Sequence, residues 1–68
     1  MSNIPKAPIG RIIKESGAER TSEDAVTELT KYLEEVAEKV SIEANKAAKL
    51  AKRKTIKADD IKLAIKNL

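Results

Sequence analysis

From Thr21 and Ser22 to about residue 51 the chain has no glycine or proline, while Val26, Leu29, Leu33, Val36, Val40, Ala44, Ala47 and Ala51 recur every three or four positions. That interval returns to one face of an α-helix. It predicts one long amphipathic helix of about 28 residues. Thr21 and Ser22 are both N-cap candidates, and Glu23 and Asp24 supply negative charge where the helix dipole favours it. A second apolar row, Ala25, Tyr32, Ala37 and Ala48, widens the face beyond what a two-stranded coiled coil uses. Other helices must therefore contact this one on more than one side, and its small residues permit close approach.

Such a helix is about 42 Å long. A globule formed by 68 residues has a radius of gyration near 11 Å, or a diameter of roughly 28 Å. The helix overshoots the globule that should contain it. A chain this short also buries only about 60 % of its unfolded surface, and small domains are commonly reinforced by disulfides, a metal or a partner. The absence of cysteine and histidine removes disulfides and the usual zinc ligand sets. A partner chain remains, so the expected state is an obligate homodimer with two long helices crossing near their middles. The same absence removes common nucleophiles and the neutral-pH proton shuttle, so neither enzymatic activity nor a cofactor or metal is expected.

The flanking segments predict two short helices. Pro5 and Pro8 suit an opening turn, Ile9, Ile12 and Ile13 form an apolar face, and Gly17 suits the left-handed position past a helix end. The first helix is expected over roughly residues 7–16. Residues 53–57 break the helical pattern, and the β-branched pair Thr55 and Ile56 favours an extended loop. A last helix begins near Ala58, with Asp59 and Asp60 in its first turn, Lys66 near its end and Ile61, Ala64 and Ile65 on its apolar face; Leu68 lies one turn on, with Leu63 beside it. The expectation is an all-α chain, short helix, long helix, short helix, forming a single domain over residues 1–68.

The net charge of +3 is unevenly spread: residues 52–68 carry six bases and two acids, whereas 25–51 carry four bases and five acids. The stretch KRKTIKADD at 52–60 concentrates the surplus beside a helix start, and such local concentration attracts polyanions. The opening residues contain no apolar run, so no signal peptide or membrane span is expected and the chain is read as cytoplasmic.

Two separated motifs, PIGRIIKESGAER at 8–20 and RKTIKADDIKLAIK at 53–66, with the long helix between them, resemble the archaeal histones over nearly the whole chain. The resemblance implies a histone fold paired head-to-tail as a handshake dimer. It also implies binding to double-stranded DNA, wrapping and compaction by dimers that assemble into tetramers or larger cores, and association with the chromosome or nucleoid. By this resemblance the loop before the long helix lies beside the partner's loop after it, so Arg20 and Thr21 meet the partner's Lys54 and Thr55. Arg20 then enters the minor groove, and Lys54 and Lys57 contact phosphates. Arg11 and Lys14 meet the backbone at the dimer centre, aided by helix-start amides. Arg53 and Asp60 form an intrachain pair that clamps the loop.

Each of these residues has a plainer reading: Arg20 as a surface arginine paired with Glu19 or Glu23, the lysines as a solvated loop, and Arg11 and Lys14 as an ordinary polar face. Tyr32, the lone aromatic, is read as dimer packing, because single-strand binders use several aromatic platforms. No Asn or Gln lies among the contacts to read adenine, so sequence preference is expected to follow DNA bendability.

Dimer–dimer contact in the resembling family involves the positions of Ala47, Leu50, Asp60 and Leu63, and Gly17 keeps a stacking surface flat. Many members have histidine where this chain has Leu50, hydrogen-bonded to the acid corresponding to Asp60. Here Leu50 either makes an apolar contact or leaves the tetramer weak. Lys52 stands where glycine is usual and Lys62 where an acid is common; both add positive charge, and Lys62 either strengthens DNA attraction or repels a neighbouring dimer when cores stack. A different reading is a histone-fold heterodimerisation module of a transcription or repair complex, which would tolerate loss of Arg20 and Lys54. An amphipathic membrane-surface helix would set Lys and Arg opposite large apolar residues, but the long helix carries more acids than bases.

Overall fold

A computed structural model describes residues 4–68 and contains three helices, with no strand among the described residues. They are α1 (Lys6–Glu15), α2 (Glu23–Leu50) and α3 (Ala58–Lys66). The short–long–short order matches the expectation, and α2 has the anticipated 28 residues. α1 begins and ends one residue earlier than expected, with Pro5 as its cap and Ser16 closing it. Gly17 follows at φ 115°, the region that a residue without a Cβ occupies readily.

Of the two hydroxyl candidates before α2, Ser22 is the cap. Its Oγ accepts the Ala25 amide at 3.1 Å, which satisfies one amide that the helix itself cannot pair. Thr21 lies one residue outside. The helix ends at Leu50 rather than Ala51. α3 ends at Lys66, so Leu68 lies beyond it and is exposed.

The chain divides between Glu35 and Val36 into two compact units, each taking part of α2. In the first, Ile9 is buried on α1 and Thr30 on α2. The Thr30 hydroxyl donates to the Val26 carbonyl at 2.7 Å, so its burial leaves no unpaired polar group. The Ile4 amide donates to Glu34 at 3.2 Å, fastening the segment before α1 to the long helix. In the second unit Val40 and Ala44 of α2 cluster with Ala64 of α3, and Val36 and Ile61 pack against them.

These cores are thin. Among the described residues no large side chain is fully buried, while Ile12, Tyr32, Ile42, Leu50, Leu63, Ile65 and Leu68 are all more than half exposed. Several of these occupy the apolar rows expected to be covered: Ile12 on α1, Tyr32 on α2 and Ile65 on α3. Ala25 and Ala37 of the second α2 row are exposed as well. One chain thus leaves uncovered much of the apolar surface that the periodicity marks. No helix among the described residues is long and apolar enough to cross a membrane.

Candidate nucleic-acid interface

The basic loop between α2 and α3 is organised by one carboxylate. Asp60 is buried at 5 % exposure and receives the Arg53 guanidinium through two bonds, Nη1 to Oδ2 at 2.7 Å and Nη2 to Oδ1 at 2.9 Å. This fork-to-fork geometry fixes direction as well as distance. Arg53 Nη1 also donates to the Thr55 carbonyl at 3.0 Å. Asp60 in turn accepts the Lys57 amide at 2.8 Å, the backbone half of a capping box. Lysine at the cap position has no acceptor of its own, so this third residue of α3 holds the helix start. Both ends of the loop are tied to one side chain.

Arg53 and then the Lys57 amide hold the Asp60 carboxyl at about 2, down from its ordinary 3.8, against the opposing effect of burial. Arg53 is raised in turn by its bond to Asp60. Because the folded state lowers the acid's pKa, the clamp stabilises the fold fully above about pH 4 and loses that contribution as pH falls through about 2. Acid titration of thermal stability should therefore fall more steeply over this window for the native chain than for Asp60→Asn. The variant should already be less stable at pH 7. Parallel acid profiles would show that the clamp does not support the fold.

With Arg53 committed, Lys54, Thr55 and Lys57 remain exposed on the loop. In the first unit, Arg20 is exposed and Thr21 half-buried between α1 and α2. Among the described residues Arg20 has no ion pair with Glu19 or Glu23; the ion pairs are Lys46–Glu43 and Arg53–Asp60. Arg11, Lys14 and Thr21 line a groove of about 420 Å³ together with Lys6, Gly10 and Glu23. Lys6 is a member that sequence reasoning missed: a lone lysine between two prolines carries no pattern. Of the expected contacts, Arg11 and Lys14 of α1 and Thr21 before α2 thus share one concavity, whereas Arg20 is not among its lining residues.

A second groove, of about 250 Å³, is lined by Ala47, Leu50, Leu63 and Ala64, with Glu43 and Lys46 among its other residues. Leu50 is 86 % exposed. Asp60, grouped with these residues by resemblance, is buried and bonded to Arg53. No group of three or more His, Cys, Asp or Glu able to hold a metal occurs among the described residues.

Residues 2–65 match the family model described as "Histone-like transcription factor (CBF/NF-Y) and archaeal histone". The chain is 52 % identical to one of the subunits of the archaeal histone HAN1 of Thermococcus zilligii over 66 residues, covering 97 % of this chain and 98 % of that protein. It is 42 % identical to "Probable archaeal histone 3" of Methanocaldococcus jannaschii with the same coverage. It is also 42 % identical, over 59 residues, to "DNA-binding protein HmvA" of that organism, covering 87 % of this chain and 62 % of the relative. With three helices in the short–long–short order and a match along nearly its full length, the chain belongs to the family of histone-like transcription factors and archaeal histones.

Proposed function

We propose that this chain is an archaeal-type histone, acting over residues 1–68 as one histone-fold domain that binds duplex DNA largely without sequence specificity and compacts it by wrapping. The observation that carries this reading is the loop clamp. Arg53 is spent internally on Asp60 and Thr55, which leaves Lys54 and Lys57 exposed on an anchored backbone. A fixed array of cations loses less entropy on meeting a phosphate chain than a floppy one does. The relatives named as archaeal histones and as a DNA-binding protein support the same target.

The working unit is a homodimer, with a paralogue as an alternative partner, and it associates with the chromosome in the cytoplasm. Arg20 and Thr21 of one chain join the partner's Lys54 and Thr55 at each end, while Arg11 and Lys14 contact backbone near the centre. Dimers join through the end of α2 and the start of α3, at Ala47, Leu50, Asp60 and Leu63. Leu50 makes this an apolar contact, and Asp60 also holds the start of α3. Gly17 lies on the stacking surface, where Lys62 adds charge that opposes close stacking of neighbouring cores. The role is structural, with no cofactor or metal. The exposed loop lysines disfavour a heterodimerisation module with little DNA contact.

Binding to several unrelated duplexes across a salt series tests this reading. Neutralised phosphates release counterions, so a protein making 6–10 such contacts loses about 10³–10⁵ in affinity between roughly 50 and 200 mM salt. Salt-independent binding, or no complex at low salt, contradicts the reading. Sedimentation with duplexes of increasing length counts the dimers in each complex.

A further inference from the structure

The end of α2 contains a residue that its backbone position does not favour. Arg53 donates its amide to the Ala48 carbonyl at 2.9 Å, and Lys52 donates to Lys49 at 2.9 Å. This pair of bonds closes a helix through a residue in the left-handed region, usually glycine. Here the residue is Lys52, at φ 59°, the one non-glycine residue with positive φ among those described. An L side chain there crowds the following carbonyl, and lysine lacks the short polar group with which asparagine eases the conformation. At the end of α1 the corresponding place is taken by Gly17.

A strained backbone persists where its surroundings over-determine it, and such positions cluster at functional sites. Lys52 is exposed and immediately precedes Arg53, whose charge is occupied by Asp60. The cations left exposed on this loop are Lys52, Lys54 and Lys57. A lysine near a helix C-terminus also faces a favourable dipole, but Lys49 already occupies the last turn.

We propose that Lys52 is a third phosphate-contacting cation of the basic loop, held where glycine would fold better, so that the loop trades fold stability for DNA affinity. This rests on the duplex-binding reading above. The full chain carrying Lys52→Gly, Lys52→Ala or Lys52→Arg is compared with the native chain for thermal midpoint and for duplex affinity across salt. Lys52→Gly should raise the midpoint by several degrees, whereas Lys52→Ala, which keeps a Cβ, should not. Both should reduce the slope of log affinity against log salt by about one per chain, and Lys52→Arg should preserve it.

If the native protein binds duplex with a steep salt slope and the glycine and alanine variants match it, the proposal fails while the duplex-binding reading stands. A lower midpoint for Lys52→Gly also overturns it, because lysine would then be stabilising the helix end. A native chain without salt-dependent binding removes both readings together.

Discussion

Replacing Arg20 and Lys54 together by alanine is expected to weaken duplex binding on the order of 10²-fold at moderate salt, to a similar degree on unrelated sequences. A homodimer would lose both cations from each chain, and each neutralised phosphate contributes about 0.9 to the slope of log affinity against log salt. The slope should therefore flatten along with the affinity. Both residues are exposed and lie outside the helices, and surface changes of this kind usually alter stability by no more than about 0.5 kcal/mol. Circular dichroism should show unchanged helix content. Marked loss of helicity would make the two residues structural, and loss confined to one sequence would mean that they read bases.

Ala44→Leu should produce the larger stability effect. Ala44 is completely buried, in the cluster with Val40 and Ala64 that joins α2 to α3 in the second unit. Three added carbons must press on Val40 and Ala64, and overpacking of this kind costs about 1–3 kcal/mol. For a domain of this size that corresponds to a fall in thermal midpoint of roughly 5–20 °C. Because α3 begins at the clamp, salt-dependent DNA binding should weaken at temperatures near the lowered midpoint. An unchanged midpoint would mean that α3 does not pack on α2 as described.

The long helix was legible because nothing interrupts it: the interval from Val26 to Ala47 keeps to three or four, and no glycine or proline follows Gly17. Its start was legible only to within one residue. Thr21 and Ser22 both carry a hydroxyl suited to capping, and the bond from the Ala25 amide selects Ser22. The clamp between Arg53 and Asp60 was available only through resemblance, since seven residues across a loop form no periodic signal. Lys52 could be read as charge, and only the glycine usual at its place in the resembling family hinted at its conformation. Positive φ is signalled by glycine or asparagine, and a lysine there becomes visible only once the Arg53 and Lys52 amides are traced to Ala48 and Lys49.

Coverage of the apolar faces was legible in kind from periodicity, whereas its assignment to a partner chain came only from the length of α2. Periodicity shows that Ile12, Tyr32 and Ile65 lie on apolar rows, yet all three are more than half exposed on a single chain. A hydrophobic pattern records which face avoids water, not which molecule shields it. The site followed the same division. The basic character of Lys54 and Lys57 is written in residue type, whereas the shared groove of Lys6, Arg11, Lys14 and Thr21 depends on how α1 meets the start of α2.

Sedimentation equilibrium of the free protein at micromolar concentration is the most direct test of whether two chains are required. A species of twice the chain's 7.5 kDa, with an unfolding midpoint that rises with protein concentration, is the expected result. A helical, stably folded species of 7.5 kDa with a concentration-independent midpoint would contradict it, and the paired loops proposed to hold DNA could not form.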